Sequence, residues 1–127
     1  MPDTVMPPQG EVATDETLNL ISADKVVGTA VYNRQGERLG SVYGLMLNKL
    51  NGQVAYAIMS FGGFLGMGES YHPLPWRVLS YDPNLGGYVV DIDRNRLENA
   101  PRYTPADVPD WRTYGDRVDA YYAIPLV

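Results

Sequence analysis

The sequence predicts a mainly β protein: a small barrel of about five or six antiparallel strands, a short helix after the last strand and a partly helical C-terminal tail. Three observations carry this reading. Short alternating or β-branched apolar runs recur between Val26 and Ile92, and turn-forming residues separate them. The 127 residues also include 13 Gly and 10 Pro, above average usage, which favours many turns over long helices. The chain is long enough for one core, and no internal repeat divides it.

Met1 to Thr17 holds three prolines and the acids Asp3, Glu11, Asp15 and Glu16, with little apolar periodicity. Such a segment cannot offset its ordering entropy by burial, so residues 1–17 are expected to form a flexible acidic arm. The first strand is expected over Lys25 to Tyr32, where Val26, Val27, Thr29 and Val31 are β-branched, and Asn33 to Gly36 reads as a turn. The second strand, Arg38 to Leu47, contains Gly40 and Gly44 as candidate bulge or close-approach positions. Asn51-Gly52 is a strong hairpin signal because both residues tolerate positive φ.

The third strand, Gln53 to Phe61, is apolar on both faces and should lie centrally. Glycine-rich Gly62 to Gly68 leads into an extended segment, Ser70 to Leu79, whose Pro73 and Pro75 suit an edge strand or a kink. After the turn at Asp82 to Gly87, Tyr88 to Ile92 alternates as a last strand. Asp93 is placed to cap a short helix, Arg94 to Asn99, that Pro101 ends. Tyr114, Val118 and Tyr121 recur at helical spacing, predicting a helix near Asp116 to Tyr122 that packs back through Trp111 and the tyrosines.

Charge and composition narrow the chemistry. The net charge of −5 and pI near 4.6, without a basic run, remove the usual driving force for phosphate-backbone binding, so no direct nucleic-acid contact is expected. With no Cys there is no disulfide, thiolate nucleophile or thiolate metal site. No apolar run is long enough for a membrane span, and the acidic start lacks the basic flank of a secretory signal, so a cytoplasmic location is expected.

Five pieces of sequence, in order, resemble the PRC-barrel family. They are Gly28-x-x-Val31-Tyr32-Asn33-x-x-Gly36-Glu37-x-Leu39-Gly40, then Gly52-x-Val54-x-Tyr56-Ala57, then Gly62-Gly63-Phe64-Leu65-Gly66-x-Gly68, then Leu74-Pro75-Trp76, and Leu97-x-x-Ala100-Pro101. The resemblance spans roughly Leu18 to Tyr103. It divides the chain into an arm over 1–17, a barrel domain over 18–103 and an aromatic tail over 104–127 that packs on the barrel or on a partner. It implies a protein-binding or assembly module of the stand-alone bacterial kind, lacking the preceding membrane helix or RNA-associated domain of other members. A shared fold does not by itself transfer a role.

The candidate interaction residues are Phe64, Leu65 and Met67, apolar among glycines that cannot shield them, and Trp111, Tyr114, Tyr121 and Tyr122 of the tail. Self-association would satisfy them as well as a foreign protein. No catalytic residue, cofactor or metal is expected. The 62–68 loop lacks the Lys-Ser/Thr ending of a phosphate loop, and His72, the only histidine, is expected to pack or hydrogen-bond. Asp91 and Asp93 share a strand face but read as a solvent residue and a helix cap, with Arg94 and Arg96 to balance them. Trp76 reads as a core residue. The rival reading is a small-ligand binder or enzyme using a pocket near residues 62–76, and a poorer one is an RNA-associated assembly factor.

Overall fold

The computed structural model describes residues 20–62 and 69–123, so the acidic arm and most of the glycine-rich loop lie outside the described residues. Six strands form one mixed sheet: β1 (Ala30–Asn33), β2 (Arg38–Leu47), β3 (Val54–Gly62), β4 (Glu69–Pro75), β5 (Ser80–Asp82) and β6 (Gly87–Val90), ordered β4-β3-β2-β1-β6-β5. Three helices accompany them: α1 (Ala23–Val26), α2 (Arg94–Glu98) and α3 (Trp111–Tyr121). The protein is mainly β, as the sequence indicates.

The turns that set the hairpin registers are those expected. Asn33 lies buried in the β1–β2 turn, its Oδ1 accepting from the backbone N–H groups of Gln35 and Glu37 at 3.0 and 2.9 Å, and Gly36 takes φ 84°. In the β2–β3 hairpin, Gly52 adopts φ 77° and its N–H donates to the Asn48 carbonyl at 2.8 Å. A bulge falls between Val42 and Gly44, and Gly40, paired with Phe61, is the close-approach position, where the Ser60 backbone carbonyl of β3 leaves no room for a Cβ.

Several expectations are corrected. The β-branched run after Lys25 does not begin as a strand. Residues 23–26 form one helical turn instead, with Gly28 at φ 94° and its N–H donated to the Val42 carbonyl at 2.7 Å. Local β propensity yields there to the burial of Val26, which the helical turn directs into the core. The strands are not all antiparallel either: β1 and β6 run parallel, Ala30 to Asn33 against Gly87 to Val90. Closure by strand pairing is not seen among the described residues, where the ladder ends at β4 and β5. Residues 76–78 form a 3-10 turn that carries the chain round this corner into β5, which the sequence reading missed.

Asp93 caps α2 as expected, accepting from the Arg96 N–H at 2.7 Å. The charge partners differ: Asp91 is exposed and pairs with Arg34 at 3.4 Å, while Arg94 pairs with Glu37 at 2.6 Å. Arg94 and the Asn33 amide hold the Glu37 carboxyl below the usual carboxylate range, tying the β1–β2 turn to α2. The tail helix starts five residues before the expected Asp116, at Trp111, because Asp110 caps it by accepting from the Arg112 N–H at 3.0 Å.

The core joins the inward faces of the strands to both later helices: Val31, Val42, Met59, Leu74, Leu97 and Val118 are wholly or almost wholly buried in one cluster. Strand β3 is buried from both sides, with Ala57, Met59 and Phe61 in the cluster and Ile58 covered on the opposite face. The outer edge of β4 is covered: Tyr71 and Tyr103 exchange backbone hydrogen bonds of 2.8 and 3.0 Å.

Candidate protein-interaction surface

The outward side of strands β2 to β4 carries a connected series of aromatic rings. Tyr43 stacks on Tyr71 with centroids 4.3 Å apart, Tyr71 meets Tyr103 edge-on at 5.5 Å, and Tyr103 meets Trp111, which in turn lies 5.4 Å from Tyr56. The Tyr56 hydroxyl donates to Asp119 at 2.8 Å, and burial together with that carboxylate pushes its pKa up to about 12. The linker, residues 99–110 between α2 and α3, thus covers this face at Tyr71, and α3 covers it at Tyr56. Apolar side chains of β2 and its hairpin stay exposed beside this cover: Tyr43, at the bulge, is 55% exposed, Leu47 is 55% exposed, and Leu50 at the hairpin tip is 98% exposed. These three share one long strand and its turn, a rigid support for contact.

The residues singled out from sequence are placed unevenly. Phe64, Leu65 and Met67 lie outside the described residues. Trp111 and Tyr121 are partly buried, and Tyr114 and Tyr122 are buried within the molecule. Tyr121 is clasped by Arg96: its hydroxyl donates to the Arg96 carbonyl at 2.6 Å, and the Arg96 guanidinium lies over its ring and donates to its carbonyl at 2.8 Å. The tail packs back through Trp111 and the tyrosines, as its periodicity indicates. Tyr43, Leu47 and Leu50 were read only as strand and turn residues. The signal available was a leucine in an otherwise polar turn and a tyrosine beside the bulge glycine.

Among the described residues, the Tyr114 and Tyr122 hydroxyls are buried without a hydrogen-bond partner, and burial raises both pKa values, Tyr114 to about 12. An unpaired buried hydroxyl costs about 1–3 kcal/mol. Tyr122→Phe is therefore expected to raise stability by about 1 kcal/mol in urea denaturation, and a loss of that size instead would mean that the hydroxyl is satisfied.

Chemistry-bearing groups are scarce among the described residues. His72 is 0% exposed, with Nε2 3.2 Å from Ser70 Oγ and the Phe61 ring edge-on at 5.1 Å, and its Nδ1 lacks a partner. No three acidic or imidazole side chains converge to hold a cation. Two open grooves are lined by described residues: one of about 460 Å³ by Arg34, Arg77, Ser80, Asp82 and Asp91 among others, and another between α2 and α3 at Asn99 and Arg117. Trp76 packs against the core, edge-on to Tyr88 at 5.5 Å.

In a family comparison, the PRC-barrel domain model matches residues 18–97. The chain belongs to the PRC-barrel family. A search of curated proteins returned no match. The PRC-barrel match ends within α2, yet Tyr114, Val118 and Tyr122 of α3 lie in the same core cluster as the matched strands. PRC-barrel domains are in general non-enzymatic modules of protein interaction or assembly. No helix among the described residues is long and apolar enough to cross a membrane.

Proposed function

We propose that this PRC-barrel protein is a non-catalytic cytoplasmic assembly module that associates with a second copy of itself through the β2 strand and β2–β3 hairpin. The single observation that carries the reading is the exposure of Tyr43, Leu47 and Leu50 on one rigid element. Large apolar side chains held in water on a stiff support favour association, and an isologous pair would bury both sets at once. Phe64, Leu65 and Met67 stay candidate contact residues on their sequence alone. Binding then requires no bond making, and the full burial of His72 against Ser70 gives that pair a packing role.

Sedimentation equilibrium of the wild type and of the Leu47→Ser/Leu50→Ser double variant tests this. A concentration-dependent dimer that the double variant weakens at least tenfold is expected, since removing two exposed leucines from a buried contact costs about 1.4 kcal/mol or more. A wild type that stays monomeric at millimolar concentration removes self-association. If the wild type is monomeric but recovers specific proteins from source-cell extract that the double variant loses, the surface serves a different protein.

A further inference from the structure

We propose that the apolar segment of residues 124–127 docks, within the same molecule, in the groove along β5. This segment, Ile-Pro-Leu-Val, follows the tail helix and lies outside the described residues. The point from which it departs is fixed by two guanidinium groups. Arg96 donates to the Tyr121 carbonyl at 2.8 Å and Arg77 to the Tyr122 carbonyl at 3.2 Å, so the last carbonyls of α3 are tied to the body of the protein. Arg77 also lines the groove of about 460 Å³. Tyr122 and the groove therefore share one side chain, and the chain leaves Ala123 within that side chain's length of it.

The groove suits an apolar occupant. Its charged side chains are already matched: Arg34 with Asp91 at 3.4 Å, Arg77 with the Tyr122 carbonyl, and Asp82 with the Asn84 N–H at 2.9 Å. A charged ligand would find no unpaired counter-charge there, whereas Val78, half-buried Val89 and the 55% exposed Tyr81 offer apolar surface. All three residues of β5 line the groove, and β5 is the last strand of the sheet on that side. The segment supplies the complement. Pro125 pushes Ile124 toward extended backbone, which sets Ile124 and Leu126 on one side of the chain. Four extended residues span about 13 Å, against about 10 Å for β5, Ser80–Asp82. Attachment so close to the groove favours its own molecule over a second copy, because a tethered segment acts at high effective concentration. Docked there, it closes the β5 edge as Tyr103 covers that of β4, and a foreign strand reaches β5 only by displacing it. The docking is independent of the β2–β3 hairpin surface.

The test is methyl-resolved NMR of the full chain. The expected result is nuclear Overhauser cross-peaks from the Ile124 and Leu126 methyls to the Val78 and Val89 methyls and the Tyr81 ring. In Leu126→Ser those of Leu126 are lost, and the amides of Ser80, Tyr81 and Val89 shift while those of Leu47 and Leu50 hold. Wild-type Ile124 and Leu126 methyls without a cross-peak to the groove would overturn the docking, as would groove amides that Leu126→Ser leaves unmoved. So would cross-peaks found only between differently labelled copies in a mixed sample, which would place the segment on a second molecule.

Discussion

Gly40→Ala is expected to destabilise the domain by about 4 kcal/mol, enough to leave a marginal protein mostly unfolded at 37 °C. A Cβ at this position would lie 2.0 Å from the Ser60 carbonyl oxygen and 3.1 Å from its carbon. The obstacle is backbone of the neighbouring central strand, so no side-chain rotation relieves it, and β2 would have to separate from β3 near the Gly40–Phe61 pair. Gly44, four residues on, has open space around its would-be Cβ, so Gly44→Ala should fall within about 1 kcal/mol of wild type. Urea denaturation of the two variants separates them. Equal stabilities would mean that the strands yield at Gly40 as easily as at Gly44.

Val118→Asp is expected to abolish the folded state, at a cost of about 5 kcal/mol or more, whereas Ala120→Ser on the exposed side of the same helix should change stability by less than about 0.5 kcal/mol. Val118 is 0% exposed and sits between Tyr114 and Tyr122 on the face of α3 that joins the core. A carboxylate there has no partner, so it must either be dehydrated or pull the helix away, stripping cover from Leu74 and Leu97 in the same cluster. The measurement also asks whether the region after residue 97, beyond the family match, is part of the folding unit. A cooperative unfolding curve little changed by Val118→Asp would make the tail a separable appendage.

Acid should add to these effects from a different direction, because His72 is neutral in the fold. The exposed Glu37 and Asp110 carboxyls, lowered by Arg94 and Arg112, lose their pairing only below the usual carboxylate range. Loss of structure between pH 6 and 5 is therefore assigned to the histidine.

What the sequence by itself determined was whatever depends on neighbours along the chain. The β2 bounds, the Asn33-to-Gly36 and Asn51-Gly52 turns, the Asp93 cap and the two-sided burial of β3 all follow from residues within a few positions of one another. Their energies are local, so the order of side chains expresses them directly. Only the tertiary structure decided the parallel pairing of β1 with β6 and the 3-10 corner into β5. It also decided the exposure of Tyr43 and Leu47 and the full burial of His72 against Ser70 and Phe61. Each of these joins residues far apart in the chain, and which apolar face is covered depends on what packs against it rather than on the alternation that creates it.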